Sequence, residues 1–279
     1  MSFKTILTVI TDPSQTSQLD AAAALALRED AHLEVFCLGV DHSQVGYYYA
    51  GASAYVFQES IDKSMTAAET LEKTVRDRLT PNTALRWSVD SAVAQSGGLT
   101  TLIGMRARFA DVMVQNHPYG DAAPPDAEAV TEAAMFEGGC PVLVLPRGDL
   151  PTEPPKRVLV AWNQSNEAIA AVRRALPLLV AAESVEITVV DPKPFGPERS
   201  DPGGALCQML VRHGARAEIA VLARTEPAIS DVLIRRAREI DADMIVMGAY
   251  GHSRFREAIL GGATRNMLEN APVAVFMAR

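Results

Sequence analysis

Three short apolar strings occur twice in this chain, in the same order. Ile6-Leu7-Thr8-Val9 returns as Val158-Leu159-Val160-Ala161. Ala110-Asp111-Val112-Met113-Val114 returns as Ala242-Asp243-Met244-Ile245-Val246, and Cys140-Pro141-Val142-Leu143-Val144 as Ala271-Pro272-Val273-Ala274-Val275. A repeat of this length is a duplicated domain, not a short-period solenoid. Between the strings, strand-length apolar runs alternate with segments of helical spacing. In the first half the predicted strands are 5–10, 33–40, 84–89, 111–115 and 141–145, with helices over 15–30, 55–79, about 92–109 and 126–137. In the second half they are 157–162, 185–190, 217–222, 243–247 and 273–277, with helices up to about 182 and over 204–214, 229–240 and 263–269. Alternation of this kind predicts an α/β fold: two tandem doubly wound domains, each a five-stranded parallel sheet flanked by helices.

The first repeat spans 1–147 and the second 157–279. Between them, 148–156 holds Pro151, Pro154 and Pro155, which suit neither a helix nor a central strand, so this stretch reads as a linker. The last strands of the two repeats, 141–145 and 273–277, would leave apolar edges open. The expectation is that they pair, joining the repeats as an internal pseudo-dimer.

Of the 279 residues 48% are hydrophobic, enough for a substantial core, and the net charge is −8. That balance argues against nucleic acid or an anionic membrane as partner. Arg235-Arg236-Ala237-Arg238 reads as the solvated side of a helix. No stretch approaches a membrane span and no signal segment is visible, so a cytoplasmic location is expected. Cys37, Cys140 and Cys207 show no metal-ligand spacing and read as free thiols; no metal site is expected. No Ser/His/Asp triad or paired carboxylates can be assembled, so no catalytic residue is named.

The chemistry concentrates in GAYGHSRFREAILGGAT, residues 248–264. Gly248, Gly251, Gly261 and Gly262 follow the strand 243–247 and lead into a helix at Ala263. Glycines there let backbone amides approach a ligand, and a helix start offers unpaired N–H groups and the positive end of its dipole. The pair makes an anion pocket, with phosphate the usual anion. His252, Arg254 and Arg256, inside the segment, and Arg265, just after it, are candidate phosphate contacts. Asp191 ends a strand where it could meet a ribose hydroxyl. Ligands of such sheets sit at the carboxyl ends of strands near the point where strand order reverses, which is where Asp12, Asn163, Asp191 and the Gly248 segment fall.

These residues resemble the universal stress protein family in its tandem two-domain form, most strongly over 242–277. The resemblance implies an adenine nucleotide alpha hydrolase-like fold. It also implies a nucleotide motif G-x2-G-x9-G-[ST], which Gly248, Gly251 and Gly261 fit. Gly262 stands where the family prefers Ser or Thr, and Thr264 offers a hydroxyl nearby. Asn163 stands where the family usually has Asp. Asn keeps hydrogen-bonding capacity but lacks the charge to act through Mg, which lowers the expectation of Mg-dependent hydrolysis. In the first half QNHPYGDAAPPDAEAV, residues 115–130, replaces the glycine series. That half is expected to lack a nucleotide site.

The leading expectation is a stress-response protein binding ATP or a related adenine nucleotide in the second domain. Its alternative is a nucleotide-free interaction module acting through protein partners. A slow ATPase ranks last, and a homodimer of the pseudo-dimeric chain is a further expectation.

Overall fold

The computed structural model describes residues 2–42, 54–95 (54–57 as backbone), 97–120, 123–124, 126–146, 153–192, 200–249 and 262–279. Two compact units emerge. One joins Ser2–Gln115 with Pro124–Cys140; the other joins Asn116–Ala123 with Pro141–Arg279. Two segments of the first repeat thus pack with the second unit.

The first unit contains β1 (Thr5–Ile10), α1 (Thr16–Glu29), β2 (His32–Asp41), α2 (Ala54–Leu79), β3 (Arg86–Gln95), α3 (Leu99–Ala107), β4 (Val112–Gln115) and α4 (Ala127–Phe136). Its strands run β3-β2-β1-β4, all parallel. The second unit contains β5 (Val142–Val144), β6 (Arg157–Ala161), α5 (Asn166–Ala181), β7 (Ser184–Val190), α6 (Gly204–Arg212), β8 (Ala217–Leu222), α7 (Ile229–Glu239), β9 (Met244–Gly248), α8 (Ala263–Asn270) and β10 (Ala274–Ala278). Its order is β5-β10-β9-β6-β7-β8. All neighbours are parallel except β5, which runs antiparallel to β10 with Val144 opposite Val275 and Val142 opposite Met277. The expected pairing of the two terminal strands is therefore present.

The α/β expectation holds, and the duplication is visible atom by atom. Asp111 Oδ2 accepts the backbone N–H groups of Lys4 and Thr5 at 2.7 and 3.0 Å. Asp243 Oδ2 accepts those of Lys156 and Arg157 at 2.7 Å each. The repeated Ala-Asp string is thus a clamp across the start of adjacent strands. The central strands β1 and β6 are buried on both faces, with Ile6, Leu7, Val158, Leu159 and Val160 at the core. Helices α1 and α5 cover them with buried positions at the same intervals: Gln18, Leu19, Ala22, Leu25 and Ala26 in one, Ala171, Val172, Ala175, Leu178 and Leu179 in the other.

One strand departs from expectation. β3 runs to Gln95, beyond Val89, because Ser91 to Gln95 pair in register with Cys37 to Asp41 of a long β2. Gly39 allows that length, since a Cβ there would strike the Ser64 carbonyl of α2. The helix expected from about residue 92 begins at Leu99 instead, after Gly98.

The arginine run of α7 is a second departure. Arg235 pairs with Glu226 and Glu239 near solvent. Arg236 instead reaches inward, its Nε and Nη2 donating to the buried Glu186 of β7 at 2.9 and 2.7 Å. That hydrogen bonding pushes the Arg236 pKa up. The first unit repeats the pair in more open form: Arg106 of α3 meets Glu34 of β2 at 3.2 Å, and also Asp90, over the Phe36 ring.

None of the three cysteines is in a disulfide, and Cys37 and Cys140 are buried. Burial, reinforced by the Glu72 charge, pushes the Cys37 thiol up to about 12. No helix among the described residues is long and apolar enough to cross a membrane, and none of their His, Cys, Asp and Glu side chains group to hold a metal.

Candidate functional site: the carboxyl-end crevices

In each sheet the chain leaves a central strand, fills one side, then returns to fill the other. The reversal falls between β1 and β4 in the first unit and between β6 and β9 in the second. Such a point opens a crevice at the carboxyl ends of the two strands.

In the first unit that crevice is filled. The Gln15 carboxamide oxygen accepts the N–H groups of Thr11 and Asp12 at 2.8 and 2.9 Å, while its nitrogen donates to Gln18 at 3.0 Å. The Gln18 nitrogen donates to the Val9 carbonyl at 2.8 Å, to Thr8 Oγ1 at 2.9 Å and to Gln115 at 3.4 Å. Thr8 Oγ1 closes the set by donating to the Val114 carbonyl across the gap at 3.0 Å. All four side chains are buried. The loop amides that would face an anion are taken by Gln15, and neutral amides occupy the space.

In the second unit Ser165 takes the capping place of Gln15 and Ala168 the place of Gln18 in the first turn, and Met247 stands where the strand register places Gln115. Gly248 has a defined structural role. A Cβ on it would lie 2.5 Å from Ala168 N and 2.7 Å from the Glu167 carbonyl carbon, so its absence lets the first turn of α5 reach the end of β9. The Ser165 hydroxyl caps that turn, accepting Ala168 N–H at 3.1 Å.

Asn163, Asp191 and Gly248 follow or end β6, β7 and β9, which are neighbours in the order β9-β6-β7, so these residues share one rim. Asn163 is exposed and its Oδ1 accepts Ser165 N–H at 3.1 Å. Asp12 does the same in the first unit, accepting Ser14 N–H at 2.8 Å, and the Ser14 hydrogen bonds hold its carboxyl below the usual range. Asp191 sits in the left-handed region at φ 48°, with its N–H on the Leu222 carbonyl at 2.8 Å. Gln164, beside Asn163, is left-handed too, at φ 63°. Two such residues at one rim are the kind of backbone strain that gathers at ligand clamps.

Gly262 is extended and precedes α8 without a side-chain cap. Thr264 is buried at 3% exposure, so its hydroxyl faces inward. Gly251, Gly261, His252, Arg254 and Arg256 lie outside the described residues. Sequence reasoning missed the Gln15–Gln18–Gln115 set and the inward Arg236. The available signals were glutamines three apart on the buried face of a helix, and Glu186 within an apolar strand.

Residues 154–279 match the sequence model of the Universal stress protein family. By fold the likeness extends over the whole chain. A universal stress protein from Archaeoglobus fulgidus superposes with a TM-score of 0.69 at 15% identity, covering 99% of this chain and 96% of that one. A functionally unknown protein from Pseudomonas aeruginosa PAO1 superposes at 0.57 and 16% identity, covering 99% and 92%. No curated protein matches. The resemblance read from the motifs therefore holds: the second half is universal stress protein-like in sequence, and the whole chain has that fold.

Proposed function

We propose that the second unit binds ATP or a related adenine nucleotide, and that the protein acts in a stress response in the cytoplasm. The observation that carries this reading is the contrast between the two crevices. The first is filled by its own glutamines. The second has the small Ser165 and Ala168 at the positions of Gln15 and Gln18, and a rim of Asn163, Asp191 and Gly248. The spacing of Gly248, Gly251 and Gly261 and the uncapped start of α8 suit a phosphate. Asn163 keeps a hydrogen-bonding side chain without a carboxylate for Mg, so binding with little turnover is expected.

The test is to denature the purified full chain and identify released nucleotide by mass spectrometry, beside thermal unfolding with added ATP. Ligand at a hundred times its Kd adds about 2.7 kcal/mol of stability. No released nucleotide and no shift rejects the reading.

The second reading is a nucleotide-free interaction module. Gly262 supplies no hydroxyl, and Thr264, the nearby substitute, is buried. Under this reading a pulldown of partners is indifferent to Gly251→Asp.

A further inference from the structure

The outer edge strands of the two units, β3 and β8, are built differently. The exposed positions of β3 are polar: Arg86, Ser88 and Asp90, with Gln95 at its end. Asp30, His32 and Arg106 hold the first three. Such charges keep an edge from pairing with another chain. β8 instead exposes Ile219 at 36% and Val221 at 52%, and Glu218 is its one charged residue.

The backbone of β8 is open on the same side. The Arg216 and Leu222 carbonyls accept the N–H groups of Val185 and Asp191, in and just after β7, at 2.8 Å each. Even-numbered groups therefore face β7, and alternation along the strand turns odd-numbered ones outward. The Ala217 carbonyl, first of that outer row, takes Cys207 Sγ of α6 at 3.5 Å. Ile219 and Val221 follow, and among the described residues no hydrogen bond meets their outward groups. Gly203, at the start of α6, lies against Ile187 and Ile219, so Ile219 and Val221 share the α6 face of the sheet.

We infer that β8 pairs antiparallel with β8 of a second copy of this chain, about a two-fold axis at Val221. Charge selects both the occupant and the register. With the axis at Val221, outward groups meet outward groups, Val221 faces Val221 of the copy, and Ile219 faces Ala223. On the opposite face Glu218 meets Arg224. Moving the axis to Ala220 sets Arg216 against Arg224, and moving it to Leu222 sets Glu218 against Glu226; both oppose like charges. Neither Glu218 nor Arg224 has an ion-pair partner among the described residues. Arg224 donates to the Glu226 and Pro227 carbonyls, which holds it beside the strand and leaves further N–H groups for a carboxylate. The contact is isologous, so each interaction occurs twice. It lies on β8, and its outcome leaves the nucleotide reading untouched.

The test is sedimentation velocity of the full chain over a range of concentrations, with a monomer–dimer equilibrium expected at about micromolar Kd. Val221→Glu sets two carboxylates at the axis and should raise that Kd about a hundredfold. Its urea midpoint, followed through Trp162, should stay that of wild type, because the side chain is half exposed. Glu218→Arg and Arg224→Glu should each raise the Kd about tenfold, and the double variant Glu218→Arg/Arg224→Glu should return it to within about threefold of wild type. If Val221→Glu disturbs the fold, the charge-exchange series decides alone. The inference is overturned if the chain stays monomeric, if a well-folded Val221→Glu still dimerises as wild type, or if the double variant is as weak as the single ones.

Discussion

The two repeats share a frame and differ at the mouth. Asp111 and Asp243 tie their strands with the same pair of hydrogen bonds, and α1 and α5 bury positions at the same intervals. At the carboxyl ends the sequences part. Gln15, Gln18 and Gln115 fill one crevice, and Ser165, Ala168 and Met247 take the matching positions in the other. A duplicated fold can thus keep its architecture while a handful of side chains decide whether a crevice is filled. The frame is set by burial and by backbone-to-carboxylate bonds; the site is set by volume and by which amides are already occupied.

This comparison can be attacked at several points, and the chain supplies separate reporters, Trp87 in the first unit and Trp162 in the second. The largest effect is expected at the inward ion pairs. Glu186→Gln removes the buried partner of Arg236, leaving it only Glu239 at 3.1 Å near solvent, and should cost about 3 kcal/mol in urea unfolding followed through Trp162. Glu34→Gln, in the more open pair, should cost only about 1 kcal/mol through Trp87. Equal losses would show that the pairs are not graded by burial. Gly248→Ala drives a methyl into the backbone of α5 and should cost about 2 kcal/mol, again through Trp162; a neutral result would free Gly248 from its packing role.

Gln18→Ala strands the bonds of Thr8, Gln15 and Gln115 and should lower the stability of the first unit by about 1.5 kcal/mol. The smallest effect is one of pH. Folding lowers the Asp12 pKa, so its contribution is present above its ordinary value and is lost as pH falls through the depressed folded value. The Trp87 transition should therefore weaken on the acid side below about pH 4, and Asp12→Asn should flatten that part of the profile, as Asn163 already does for the matching position.

Much of this was legible in the sequence because repeated apolar strings and helical spacing report burial directly. The ends of elements were harder. Ala92-Val93-Ala94 suits a helix or a strand equally, and only pairing with a long β2 settles it as strand. Gly248 was recognisable as a site of close approach, but what approaches in the structure is the first turn of α5. The glutamine set was hidden because Gln is an ordinary residue at a helix start. Its meaning appears only when Gln18 of α1 and Gln115 of β4, far apart in sequence, meet at 3.4 Å. Arg236 looked like its neighbours because a run of arginines carries no mark of which one turns inward.

The antiparallel ribbon of Val142–Val144 beside β10 has a practical consequence for anyone dissecting the gene. Cutting at the proline-rich stretch, the obvious place to excise the second half, would strip that half of its outermost strand and leave a hydrophobic rail unguarded. A fragment beginning at Pro141 keeps the rail covered; one beginning at Arg157 should be recovered mainly as self-associated material.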